Sequence, residues 1–116
     1  MKLDTFTQAY IEAALWSSTD DDREPLDSLY GIEDIATDTL KEIIADCQDF
    51  QDSFGEMIAD SPERAGHDFW LTRNRHGAGF WDGDWPQEVG KHLTDMSHPY
   101  GEVNLYVGDD GLIYSM

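Results

Sequence analysis

The chain has a single cysteine, Cys47, which excludes an internal disulfide framework. No apolar run approaches the ~20 residues that a membrane-spanning helix needs. Residues 1–16 carry one early lysine and an interrupted apolar pattern, which does not read as a secretory signal. Positive charge is scarce as well: three lysines and four arginines stand against 25 aspartates and glutamates, a formal net charge of −18. A surface of that sign repels DNA, RNA and anionic membrane, so neither nucleic acid nor a membrane is an expected direct partner. Basic protein surfaces remain.

Apolar bulk is present in ordinary amount. Hydrophobic residues make up 40% of the 116 and aromatics 12%, too much for a disordered acidic tail. One folded domain spanning 1–116 is expected. Asp4 to Trp16 reads as a first helix, with Phe6, Tyr10, Ala13 and Ala14 at helical spacing. Residues 17–29, with Asp20, Asp21, Asp22 and Glu24-Pro25, read as an exposed loop that buries nothing. A second helix starts at Thr37 or Asp38 as N-cap, with Gly55 a candidate stop. Its apolar face is Leu40, Ile43, Ile44, Cys47, Phe50 and Phe54, which makes Cys47 a buried structural thiol.

Ser61-Pro62 suggests a short helical turn closing at Gly66. Residues 67–75 and 79–82 then read as strands, and Trp85-Pro86 opens a third helix through about Met96. Residues 102–107 and 112–115 alternate like strands across Gly108-Asp109-Asp110-Gly111, a hairpin signal. The expected fold is α+β in the order ααββαββ, a small antiparallel sheet packed against amphipathic helices. Phe69, Leu71, Val103, Leu105 and Val107 are expected on its buried face.

The acids are unevenly spread. Fifteen of them lie between Ser17 and Glu63, with only Arg23 and Lys41 to balance them. On the second helix Asp38, Glu42, Asp46, Asp49, Asp52 and Glu56 follow one another three or four residues apart. At about 100° per residue they fall within an arc of roughly 120°, one anionic stripe opposite the apolar face. The usual i,i+4 lysines are missing, so the stripe repels itself. Carboxylates one turn apart are roughly 6 Å from each other, inside the ~8 Å Debye length, and each pair costs on the order of 0.7 kcal/mol even in bulk water. An external cation, or high salt, would offset that cost. Seventeen aspartates beside three lysines also suit a protein that works in high salt.

Other constellations are weaker. His67, Asp68, Arg73, Asn74, Arg75 and His76 could line a pocket in which an arginine holds an anion and His76 moves a proton. The plainer alternative is a hairpin with solvated ends, because no nucleophile–base spacing or phosphate loop accompanies the set. Asp82-Gly83-Asp84 and Asp20–Asp22 fail as calcium loops, since the twelfth positions are Leu93 and Gly31 rather than glutamate. Histidines 67, 76, 92 and 98 match no zinc spacing. No catalytic residue, cofactor or metal is expected.

The stretch Ala65-Gly66-His67-Asp68-Phe69-Trp70-Leu71-Thr72-Arg73-Asn74-Arg75-His76-Gly77-Ala78-Gly79-Phe80-Trp81-Asp82 is distinctive. With Ala14-Leu15-Trp16-Ser17-Ser18-Thr19-Asp20-Asp21 upstream and Tyr106-Val107-Gly108-Asp109-Asp110-Gly111 downstream, the chain resembles a family of small acidic proteins encoded by bacteriophages and other mobile elements. The resemblance implies a phage-type origin and a host cytoplasm, and carries no enzymatic activity. The expectation is then a non-enzymatic inhibitor that imitates DNA. It would bind the basic, nucleic-acid-binding surface of a host protein through the stripe and the Asp20–Asp22 loop. An accessory phage protein with a merely solubilising acidic face, and a small ligand-binding or enzymatic domain around residues 73–76, are the alternatives. If DNA imitation holds, Arg73→Ala with Arg75→Ala should be nearly silent.

Overall fold

A computed structural model describes residues 3–19, 23–75, 79–81 and 85–115. Four helices, α1 (Thr5–Ser17), α2 (Thr37–Ile58), α3 (Pro62–Arg73) and α4 (Gln87–Ser97), precede a two-stranded antiparallel sheet of β1 (Leu105–Val107) and β2 (Ile113–Ser115). The described fold is therefore mostly helical with a small sheet, within the α+β class. The order ααββαββ is not found, because only two strands occur among the described residues.

The helix starts follow local chemistry. Asp4 caps α1, its carboxylate accepting from the Thr7 N–H at 2.7 Å. α2 has Ala36 at its N-cap with no side-chain cap, so neither Thr37 nor Asp38 takes that position; both lie in the first turn. What fixes the start instead is tertiary: the Ala36 N–H donates to the Ile113 carbonyl at 2.9 Å, tying β2 to the mouth of α2. Gly55 does not stop this helix. The backbone breaks at Phe54 (φ −129°, ψ 16°) and then continues to Ile58.

The largest correction is α3. Residues 67–75, expected as a strand, do not form one: 67–73 continue the helix that Pro62 opens and 74–75 form its closing turn, while residues 79–81 form a bend and turn rather than a second strand. Ala65, Gly66, Asp68, Phe69, Trp70, Leu71, Thr72 and Arg73 are all buried. A helix covered on almost every side shows no polar face, so its rhythm is masked, while its aromatic and Thr content mimics a strand. The close crossing of α1 and α3 depends on Gly66, where a Cβ would come within 2.0 Å of the Phe6 carbonyl oxygen. Alanines 9, 13 and 14 on α1 keep the rest of that contact shallow.

The core is aromatic at its centre. Phe50 of α2 stacks on Phe69 at 4.2 Å, with Phe6 and Phe80 each at 5.8 Å. Ile43, Cys47, Phe50 and Leu105 are buried as the pattern predicts; Phe69 and Leu71 are buried as well, but on a helix beside buried Trp70 and Thr72 rather than on a sheet face, and Phe54, Val103 and Val107 are only half-buried. The segment 17–29 is less open than its acidity suggests: Leu26, at the head of a 3-10 turn, is fully buried. The hairpin pairs Leu105 with Ser115 and Val107 with Ile113, and Gly111 supplies the positive φ (82°) that its turn requires. No helix among the described residues is long and apolar enough to cross a membrane.

Candidate partner-binding surface

The acidic stripe forms on α2, but it divides into three parts. Asp38, Glu42, Asp49 and Asp52 are exposed on the unbroken helix before Phe54. Glu56 is exposed beyond the break, so it does not continue the straight row. Asp46 is half-buried and occupied. Asp20, Asp21 and Asp22, also assigned to this surface from the sequence, lie outside the described residues.

The exposed carboxylates meet only neutral donors. Glu42 accepts from Ser115 Oγ at 3.1 Å, Asp49 from the Tyr100 hydroxyl at 2.5 Å, and Asp52 from Gln48 Nε2 at 2.8 Å. Asp38 and Glu56 make no hydrogen bond or ion pair among the described residues. A neutral donor orients a carboxylate without cancelling its charge. Burial, then the hydrogen bond to Asp49, pushes the Tyr100 phenol above its ordinary range, so it remains a donor. Lys41, the one base on α2, is exposed and makes no ion pair among the described residues.

Asp46 differs because of where it sits on the helix. It falls at the edge of the 120° arc nearest the apolar face, about 40° from Phe50. From across the core Arg73 reaches it, Nη1 to Oδ2 at 2.8 Å. The Arg73 side chain is 3% exposed and spends its donors inside the fold. Besides Asp46, Nη1 meets the Tyr10 hydroxyl at 3.1 Å, Nε the Gly101 carbonyl at 2.9 Å, and Nη2 the Tyr100 carbonyl at 2.7 Å. Its guanidinium also lies 5.6 Å from the Phe69 ring centroid and 5.7 Å from that of Tyr100. Burial opposes the Arg73 charge, yet Tyr10 and Asp46 outweigh it and hold the pKa above the ordinary arginine value. Arg73 thus joins α1, α2, α3 and the turn after α4 at one point.

That arrangement removes Arg73 as an anion ligand and overturns the expectation that its replacement would be silent. The polar set around it is dispersed. Asp68 is buried and accepts from the Trp85 indole N–H at 2.7 Å. Asn74 donates to the Trp70 carbonyl at 2.9 Å and accepts from the Val103 N–H at 2.7 Å. Arg75 is exposed at the helix end with φ 58°, and His76 lies outside the described residues. Cys47 is fully buried, and desolvation drives its thiol pKa far upward, which leaves it unreactive. Among the described residues no three His, Cys, Asp or Glu side chains gather as a metal site. Asp110 braces the hairpin turn, accepting from the Leu112 N–H and the Tyr114 hydroxyl; Asp82 and Asp84 lie outside the described residues.

Sequence reasoning missed Arg73 and Tyr100. A signal existed for the first: if the helix opened at Pro62 is continued, Ala65, Phe69, Thr72 and Arg73 recur at i, i+4, i+7 and i+8 and share one face. An arginine on an apolar face has to bring its own anion. Compared with known proteins, the chain matches no family model, no curated protein and no solved structure.

Proposed function

We propose that the outer face of α2 binds a basic surface of a partner protein, with Asp38, Glu42, Asp49 and Asp52 as the contact row and Glu56 and the Asp20–Asp22 loop flanking it. The protein acts as a non-enzymatic inhibitor of phage type, working in a host cytoplasm. It occupies the site at which a host protein, one of a defence system, would hold nucleic acid. The observation that carries this reading is the contrast along one helix: Asp46 has a cation, and its exposed neighbours have only neutral donors. Over residues 38–52 the row spans roughly 21 Å at 1.5 Å per residue, long enough to lie along several phosphates of a duplex. A rigid row of fixed charges is preorganised for a basic partner and steers its approach.

The test neutralises four exposed carboxylates that meet no cation. The variant Asp38→Asn, Glu42→Gln, Asp52→Asn and Glu56→Gln keeps shape and leaves Asp46 and Asp49 on their partners. Wild-type protein immobilised at low salt should retain basic proteins from a bacterial lysate and release them to added duplex DNA. The neutral variant should retain none of these. If it retains the same proteins and differs only in solubility, the acidic face is merely solubilising, and the accessory-protein alternative takes its place.

A further inference from the structure

We propose that the open edge of β1 takes up an extended, basic segment of a partner protein as a third strand of the sheet. The hairpin closes with the Gly108 N–H on the Leu112 carbonyl at 2.8 Å and the Gly111 N–H on the Gly108 carbonyl at 3.0 Å. Counting back from that bond, Tyr106 and Tyr114 form the hydrogen-bonded pair of the ladder. Leu105 and Val107 therefore turn their N–H and C=O groups away from β2. The same phase turns the Ile113 carbonyl outward on the far side, where it accepts from the Ala36 N–H. β2 thus has a neighbour on both sides, and β1 on one. Neither Leu105 nor Val107 makes an outward hydrogen bond among the described residues. Upstream, the Asn74 side chain ends the open row by accepting from the Val103 N–H at 2.7 Å. Leu105 also lines a groove of about 250 Å³, which separates it from Ser17, Ser18 and Thr19 at the end of α1.

The flanking charges choose the occupant. Residues 101–115 contain no lysine or arginine. Glu102 and Asp109 are exposed and make no hydrogen bond or ion pair among the described residues, and Asp110 meets only neutral donors. A second copy of this chain fits badly. Two β1 edges meeting antiparallel, Leu105 opposite Val107, would set Glu102 of each beside Asp110 of the other, and a parallel pair would set each acid beside itself. No proline or lysine blunts this edge; its acids turn away its own kind and favour a strand flanked by lysine or arginine. Tyr106, 42% exposed and stacked on Tyr114 at 5.8 Å, offers a ring face to such a side chain. Leu105 and Val107 add two main-chain donors and two acceptors, whatever the partner's sequence. The edge lies across β2 from α2, and its use does not require the α2 row to bind anything.

The experiment titrates the full chain, labelled with nitrogen-15, with acetyl-Arg-Arg-Val-Thr-Val-Arg-Arg-amide. Saturable shifts and slowed amide exchange are expected at Leu105 and Val107. The same peptide N-methylated at both valines keeps its charge, loses two donors, and should bind about tenfold or more weakly. Its counterpart with glutamine for arginine keeps the backbone and should bind several-fold more weakly. Val107→Pro removes an outward N–H that the hairpin does not use, and should lower affinity by about tenfold. Should that variant fail to fold, the N-methylated peptide on the wild-type chain puts the same question. Equal binding of the plain and N-methylated peptides, or of the arginine and glutamine peptides, would overturn the proposal. So would protection of Leu105 and Val107 that appears without peptide and grows with protein concentration, which would make a second copy the occupant. Asp38→Asn with Asp52→Asn should leave the shifts at Leu105 and Val107 in place. Loss of them there would put the binding on α2 and overturn the edge alone.

Discussion

α2 and α3 are neighbours in sequence and opposites in how they use charge. α2 turns one face to solvent and lines it with carboxylates that meet no cation. α3 is covered on nearly every side, and its last arginine is driven into the core, where it takes Asp46 from the edge of the α2 stripe. The difference shows that acids evenly spaced along one helix do not share a role. Position on the arc decides: about 40° separates Asp46 from Phe50, and that places it within reach of the core, while Asp38 and Glu56 point outward.

The comparison breaks first at Arg73. Arg73→Met should cost about 3–5 kcal/mol in urea denaturation, because it strands Asp46 and the Tyr10 hydroxyl and frees two carbonyls from their donor. A cost below 1 kcal/mol would mean that the junction is not holding the helices together. Phe50→Ala should cost a similar ~3–5 kcal/mol, since Phe50 is fully buried and touches Phe6, Phe69 and Phe80.

The edge and the crest of the stripe can then be set against each other. Asp46→Asn keeps shape but removes the counter-charge of a buried guanidinium, and should cost about 1.5–3 kcal/mol. The four-fold neutral variant at Asp38, Glu42, Asp52 and Glu56 should do the reverse and melt at or above the wild-type temperature. Raising NaCl from ~20 to ~500 mM should likewise raise the wild-type melting temperature and should raise that of the neutral variant by less. A flat wild-type response would show that the acids are compensated within the fold.

A smaller effect appears at high pH. Tyr10 is buried and its phenol pKa is raised well above the ordinary value near 10; that of Tyr100 is raised too, by burial and by Asp49. The folded chain therefore holds protons that the unfolded chain gives up. The stability they contribute is complete below about pH 10 and is lost as pH rises beyond it. Absorbance near 295 nm should show two of the five tyrosines ionising only as the chain unfolds. Ionisation of all five at about pH 10, with the fold intact, would contradict the buried junction.

Much of α2 could be read directly, because its two faces differ in polarity and the helical period is plain. The same holds for α4, while the hairpin could be read from its glycine-bounded turn and α1 from its apolar spacing, although most of α1 is buried. α3 could not, since burial on all sides erases the period, and Phe69, Trp70, Leu71 and Thr72 suit a strand as well as a helix. The Arg73–Asp46 pair spans 27 residues, so no i,i+4 survey of α2 would find it. Four of the six stripe carboxylates are exposed on the straight helix where the pattern put them, Glu56 is exposed beyond the break, and Asp46 belongs to the fold.

Capture of a basic protein by the four-fold neutral variant and by Asp46→Asn, each measured with its melting temperature, separates display of charge from support of the fold. The neutral variant should stay folded and lose capture at low salt, while Asp46→Asn should melt earlier and, where folded, capture nearly as well as wild type. Undiminished, DNA-displaceable capture by the neutral variant would contradict the assignment of the α2 face as the binding surface.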